Sequence, residues 1–277
     1  MGTLYVVATP IGNLEDITQR ALRVLREVAL IAAEDTRKTR ILLQHYGIST
    51  PLTSYYEHNK LTKLDFIVGR LGHEGVALVA EAGTPAISDP GYELVKAAIA
   101  AGHRVVPVPG PSAIIAALSA AGLPTDQFVY AGFLPRQPAG RRRRLVELAD
   151  EPRTVVLYEA PHRLLASLRD MQEILGDRQM AAARELTKIH EEIVRGTVGD
   201  VLAHFTIQPP RGEFTLVIAG RSGRPQAALS EADLQQRLSQ LLAEGLTPRR
   251  AAAVLARETG MPAREIYSRH AARRGSK

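Results

Sequence analysis

The 277-residue chain contains no cysteine. That absence excludes disulfides, thiolate metal sites and cysteine nucleophiles together. No apolar run reaches the roughly 18–20 residues that a helix needs to span a bilayer. The first residues lack the charged stretch and following apolar stretch of a secretory signal, so a cytoplasmic protein is expected. The eight histidines show neither HExxH nor HxxxH spacing, and no metal is expected. No serine sits in a GxSxG elbow, which leaves nucleophilic hydrolysis without a candidate. The glycine turn Thr9-Pro-Ile-Gly-Asn13 is not GxGxxG and no GK[ST] follows it, so a dinucleotide or triphosphate cradle is poorly supported.

What is present is enough apolar material, 45% of residues, for real cores. The length fits two domains and a small appendage. The net charge of +6 is unevenly spread. Residues 225–277 hold nine Arg/Lys against five Asp/Glu, and Arg141 to Arg144 form a second concentration. Localised positive charge points to a polyanion such as nucleic acid, while the diffuse remainder reads as a solvated surface.

Val79-Ala-Glu-Ala-Gly-Thr-Pro-Ala-Ile-Ser-Asp-Pro-Gly91 is the most informative segment. An apolar run, Val76 to Ala80, empties into residues rich in Gly, Pro, Thr, Ser and Asp, the pattern of a buried strand leading into a rigid loop. Such a loop, at the carboxyl end of a strand, is where open α/β sheets bind small ligands; an ordinary strand-to-helix connection has the same spacing. Glu34-Asp-Thr-Arg37 ends another strand with two carboxylates and a guanidinium, either facing a substrate crevice or capping the next helix. Tyr158-Glu-Ala-Pro-His-Arg163 and Arg184-Glu-Leu-Thr-Lys188 repeat the arrangement later. Arg163, Arg184 and Lys188 could neutralise phosphates there, and His162 reads better as a surface or capping histidine than as a base.

Strands are expected at Leu4 to Ala8, Ala29 to Ala33, Val76 to Ala80 and Arg104 to Val108, separated by helices. That alternation implies right-handed crossovers and a largely parallel sheet. The pattern restarts after Gly122-Leu-Pro124, with strands near 128–133, 154–158, 179–184, 191–195 and 214–219, and with Leu134 to Gly140 as an exposed loop. The expected organisation is an α/β domain over 1–122, a second over 123–222, and a basic helical tail over 229–277 that resembles a helix-turn-helix. Residues 221–228 read as the linker. In the tail, Ser230 caps a first helix ended by Gly245, and Thr247-Pro248 starts a second ended by Gly260. Met261-Pro262 leads into a third, and Arg249, Arg250, Arg264 and Arg269 are placed outward, to contact nucleic acid or merely to pack.

Taken in order, Val7 to Thr18, Ala32 to Arg37, Glu81 to Gly91, Val108 to Ala113, Gly132 to Pro135, Tyr158 to Arg163, Arg184 to Lys188 and Gly212 to Ile218 resemble one family. It is the ribosomal RNA small-subunit methyltransferase I group, within the tetrapyrrole (corrin/porphyrin) methylase class. The resemblance implies two α/β domains with S-adenosylmethionine, the methyl donor, folded in a cleft between them, and a homodimer without metal. It implies methylation of the ribose 2′-hydroxyl of a decoding-region cytidine in 16S ribosomal RNA. Carried over position by position, it sets Ile11, Glu81, Gly83, Thr84, Ser88, Gly110, Ser112, Ala113, Tyr158, Leu186 and Glu213 against the donor. The substrate falls to Glu34, Arg37, Arg141, Arg142, Arg163, Arg184 and Lys188, and Asp35 or Glu159 would take the hydroxyl proton. One departure stands out: the family has Ser/Thr-Asp before Ala-Gly-Thr-Pro, and this chain has Ala80-Glu81, a carboxylate one methylene longer. The competing readings are a tetrapyrrole methylase of the same fold and a nucleic-acid-binding regulator with a ligand-sensing α/β part.

Overall fold

A computed structural model of the chain describes residues 2–221, 231–244, 246–259, 263, 264, 266 and 267. They fall into two compact units, Met1–Ala219 and Gly220–Lys277. The first unit contains two five-stranded sheets.

The first sheet takes β1 (Thr3–Val7), β2 (Leu30–Ala33), β3 (Leu52–Ser54), β4 (Val76–Val79) and β5 (Arg104–Val108) in the order β3-β2-β4-β1-β5, every pairing parallel. β2 and β4 are buried along their whole length, as their unbroken apolar runs require of strands covered on both faces. Helices α1 (Gln19–Glu27) and α2 (Thr36–His45) cover one face, where Val24, Leu25, Leu42 and Leu43 pack on Ile31, Ala77 and Val79. α3 (Lys60–Leu71) and α4 (Tyr92–Ala100) cover the other, with Ile67, Leu71 and Leu94 against Leu4, Val76 and Leu78. Sequence reasoning passed over β3 and α3. β3 is a three-residue edge strand, too short to show a period.

The second sheet is mixed rather than largely parallel. β6 (Phe128–Phe133) runs parallel to β7 (Thr154–Glu159), whereas β10 (Phe214–Ile218) lies antiparallel between β7 and β8 (Gln179–Arg184). β9 (Glu192–Thr197) closes the edge, giving β6-β7-β10-β8-β9. Helices α6 (Pro138–Leu148), α7 (Pro161–Leu175) and α8 (Val198–Ile207) pack on one face through Leu145, Leu164, Leu168 and Phe205. α5 (Ala113–Ala121) lies on the other face, through Ile114, Ala117 and Leu118 against Val156, Ala181 and Val217. Ile11 packs against that cluster from the loop after β1, linking the first half of the chain to the second sheet. The stretch expected as a loop up to Gly140 already turns helical at Pro138, where proline occupies the first turn.

In the second unit, α9 (Glu231–Ala243) and α10 (Pro248–Thr259) pack together. Leu234, Leu238, Leu241, Ala251, Ala252, Leu255 and the helical Ile266 form its core. The cap and stop expected at Ser230, Gly245 and Gly260, most of the linker, Met261-Pro262 and Arg269 lie outside the described residues.

Candidate active site

The carboxyl ends of the parallel strands converge on one crevice, where strand order changes direction beside β1 and β4. The loop after β1 is stitched to the loop after β4 by reciprocal hydrogen bonds, with the Thr9 and Gly83 N–H groups each donating to the other's carbonyl at 2.9 Å. Gly83 has φ +78°, a conformation that a side chain would strain. Gly110, after β5, comes so close to Ala8 that a Cβ there would lie 3.0 Å from the Ala8 methyl. Among the described residues, Ala86, Ser88, Glu185 and Thr187 are the non-glycine residues with positive φ, and all four belong to loops at this crevice. Strain concentrated in this way marks a site whose shape is imposed by its surroundings.

The result is a cleft of about 280 Å³. Its walls include Ile11, Glu34, Glu81, Gly83, Thr84, Ser88, Asp89, Ser112 and Ala113 from the first half, and Tyr158, Glu185, Leu186, Lys188 and Glu213 from the second. Ten of the eleven positions expected at the donor therefore line one cavity. Gly110 is not among its walls and shapes it from behind, through Ala8. The Ser88 and Tyr130 hydroxyls hydrogen-bond to each other across the two halves, and the Tyr130 and Tyr158 rings meet edge-on at 5.3 Å. Burial raises both phenol pKa values, so these groups are neutral hydroxyls at pH 7.

Carboxylates dominate the polar lining. Glu34 accepts the Glu81 N–H at 3.0 Å, and the Glu81 side chain reaches out to Lys38, whose pKa is raised chiefly by that hydrogen bond. This lysine contact lies at the cleft, of which Glu81 is a wall. Glu185 is paired with Lys188 at 2.9 Å. Asp89 has no ion-pair or side-chain hydrogen-bond partner among the described residues. Its pKa is pushed up to about 7, first by burial and then by the charges of Glu34, Glu81 and Glu213. Sequence reasoning quoted Asp89 within its leading motif and gave it no role of its own. Nothing local distinguishes it, because its burial and two of the three carboxylates that perturb it, Glu34 and Glu213, come from other segments.

Both expected bases are corrected. Glu159 follows Tyr158 on β7, and successive strand residues face opposite ways, so Tyr158 lines the cleft while Glu159 turns inward with no exposed surface. It accepts hydrogen bonds from the Ala160 N–H at 2.9 Å and the Ser167 hydroxyl at 2.5 Å. The Arg163 Nε lies 3.2 Å from it, an ion-pair distance without hydrogen-bond geometry. Asp35 caps α2 by accepting the Arg37 and Lys38 N–H groups and binds the Arg37 guanidinium, contacts that pull its pKa down to about 2. A carboxylate that acidic is a weak base, and Asp35 is not a wall of the cleft.

Several expected phosphate contacts are also corrected. Arg141 is buried, with its Nε donating to Asp170 at 2.6 Å. Arg163 donates to the Leu134 and Pro135 carbonyls, tying the end of β6 to α7. Arg142 is shared between Asp170 and Glu173, and Arg184 pairs with Glu192, so both are engaged internally while partly exposed. Helical geometry explains this sorting of the arginine run, since residues 141 to 144 point around all sides of α6. Arg143 is the exposed one with no partner among the described residues, and Arg37 is 87% exposed. Glu34 and Lys188 lie in the cleft itself.

Comparison with known proteins agrees with this architecture. Residues 3–202 match the family model of the tetrapyrrole (corrin/porphyrin) methylases. A Synechocystis protein named ribosomal RNA small subunit methyltransferase I is 51% identical over 269 residues, covering 96% of each chain. The chain belongs to the ribosomal RNA small subunit methyltransferase I family of the tetrapyrrole methylases. A Thermotoga maritima member, 50% identical, aligns over its whole length with 80% of this chain, leaving about a fifth without a counterpart there. The fold is shared with a crystal structure of diphthine synthase, at TM-score 0.62 and 13% identity, over 80% of this chain and 91% of that one. Membership makes the chain a methyltransferase.

Proposed function

We propose that the protein transfers the methyl group of S-adenosylmethionine to the ribose 2′-hydroxyl of a cytidine in the small-subunit ribosomal RNA. The observation that carries this reading is the acidic cleft. Glu34, Glu81, Asp89 and Glu213 surround a cavity of about 280 Å³, near the lower end of ordinary small-molecule sites, about 300–1,000 Å³. A sulfonium is cationic, and anionic walls favour it as they would disfavour a phosphate. The close-set loops at Gly83 and Ser112 offer backbone groups to an adenosine, and Ile11, Leu186 and Tyr158 offer apolar faces to its ring. When bound, the donor supplies an electrophilic methyl; the chain's own residues must align the acceptor with it and take up a proton. Arg37, Arg143 and Lys188 are proposed to meet the RNA backbone around this acidic centre. The same family resemblance supports a homodimer acting on small subunits in the cytoplasm.

The test is transfer of labelled methyl to small subunits purified from cells lacking the enzyme, followed by identification of the nucleoside. Label in 2′-O-methylcytidine is the expected result. No label, despite tight donor binding, would redirect the reading to tetrapyrrole acceptors.

A further inference from the structure

We propose that the Phe133 ring is the platform on which the base of the acceptor nucleoside stacks while its 2′-hydroxyl faces the methyl donor. This deepens the reading of the cleft as a ribose methylation site and rests on it.

The way β6 delivers this ring carries the proposal. Tyr130 pairs with Val156 and Phe133 with Tyr158, so β6 advances three residues where β7 advances two. The extra residue is a bulge, and Gly132 within it has φ +69°. Laterally paired residues share a face of a sheet, and a one-residue shift turns every later side chain over. Without the bulge, Phe133 would stand beside Glu159, on the face buried under α7, where Glu159 meets Ser167. With it, Phe133 shares the cleft face with Tyr158, and Leu134 takes a place in the buried cluster instead. The end of the strand is then pinned, because Arg163 donates to the Leu134 and Pro135 carbonyls.

The outcome is an aromatic ring held rigidly at the mouth of the cleft. Phe133 is a wall of the cavity yet 48% exposed, and one side of its ring meets Tyr158 at 5.4 Å, tilted by 52°. From the first half of the chain, Ile87 reaches the same cavity 43% exposed, between Ala86 and Ser88 with their positive φ angles. The loops bearing the two are in contact, since a Cβ on Gly132 would lie 3.8 Å from the Ser88 hydroxyl. The other large apolar walls, Ile11, Tyr158, Leu186 and Phe214, are partly or fully buried.

The chemistry of the acceptor says what this mouth receives. A nucleoside base is bonded to C1′, next to the C2′ that carries the reacting hydroxyl, so a ribose aligned with the donor brings its base close by. The phosphates cannot follow, because Glu34, Glu81, Asp89 and Glu213 make the cleft anionic. The flat, uncharged base is the part that fits an apolar mouth. Arg136, three residues past Phe133, is exposed without a partner among the described residues, a cation suited to a flanking phosphate outside. A base splayed out of an RNA strand and stacked on an aromatic side chain is a common mode of single-nucleotide recognition. Stacking accepts any base, so Phe133 holds the nucleoside in line and does not choose cytidine.

Stacking of one base on an aromatic ring is worth a factor of about 5–150 in affinity. Phe133→Ala is expected to lower kcat/KM for small subunits by about that factor, and Phe133→Leu, apolar but without a ring face, by at least about fivefold. Phe133→Tyr should restore it to within about threefold of wild type, and the donor Kd, measured by calorimetry, should stay within about threefold in all three variants. A second readout needs no turnover. The chain has no tryptophan, so Phe133→Trp carries a single indole at the cleft mouth. Its emission should be quenched by unmethylated small subunits and not by S-adenosylmethionine alone.

Phe133→Leu with the kcat/KM of wild type would overturn the assignment. So would quenching of Phe133→Trp by the donor alone, or a loss confined to donor affinity, either of which would make Phe133 a donor contact. Wild-type protein that binds donor yet methylates no ribose would overturn the acceptor reading, and the stacking role with it. Wild-type protein that labels 2′-O-methylcytidine, beside a Phe133→Leu that does so equally well, would overturn the stacking role alone.

Discussion

At the scale of single residues, the decisive fact is which way a charged side chain points. Arg163 is pinned to two carbonyl groups and stands beside the fully buried Glu159. Replacing it by methionine removes the only cation within ion-pair distance of that carboxylate among the described residues. A buried charge left without its partner costs about 3–5 kcal/mol, so urea unfolding of Arg163→Met should shift by that amount while the folded fraction still binds donor. Stability equal to wild type would mean that Glu159 finds another neutralising arrangement. Arg37 and Arg143 point outward and make a different prediction. Arg143→Gln should leave unfolding unchanged, whereas Arg37→Gln should lose part of the stability that the Asp35 contact supplies above about pH 4. Both should flatten the plot of log affinity for RNA against log salt, by about 0.7–0.9 per lost phosphate contact. An unaltered slope would remove these two from the RNA surface.

At the scale of elements, α2 shows how a sequence motif with two plausible uses is resolved. Glu34 and Asp35 are adjacent, yet one enters the cleft and the other caps the helix. The Asp35 pKa is near 2 in the folded protein against an ordinary 3.8. Because the folded value is the lower one, its stabilising effect is complete above about pH 4 and disappears as pH falls toward 2. Asp35→Asn keeps a capping oxygen without that titration. The gap in urea midpoint between wild type and variant should therefore close over the pH 4 to 2 interval, and a gap constant with pH would show that Asp35 does not titrate with folding. The loops at 81–91 and 185–188 are the other informative elements, because they carry all four non-glycine positive-φ residues among the described residues. Proline and glycine content made the first of these loops legible in the sequence. The second, Glu185-Leu-Thr-Lys188, was visible only as a cluster of charges, since neither glutamate nor threonine signals positive φ.

At the scale of the whole molecule, the two compact units invite separation. Both sheets, their three interior clusters of buried residues around the strands, and the cluster at α5 lie within Met1–Ala219, and the tail has a core of its own. The cleft also lies wholly in the first unit. A protein ending at Ala219 should fold and bind donor within about threefold of the full chain, while losing affinity for small subunits if the basic tail contributes phosphate contacts. The Thermotoga relative, whose length matches only four-fifths of this chain, is consistent with a fold that needs no more than that. Loss of donor binding on truncation would instead make the tail part of the site.

The sequence by itself determined the family, the order of most strands and the set of loops that meet at the cleft, because those features are written locally. Apolar runs define strands, and glycine and proline define where they must turn. Only the tertiary structure decided which charges are available for chemistry. Glu159 and Arg141 are internal, Asp35 is a cap, and the Asp89 pKa is raised first by burial and then by the charges of Glu34, Glu81 and Glu213. Facing is set by strand alternation and helix phase, and basicity by the sum of neighbouring charges at short range in a poorly hydrated space. Neither quantity exists until the two sheets close on one another.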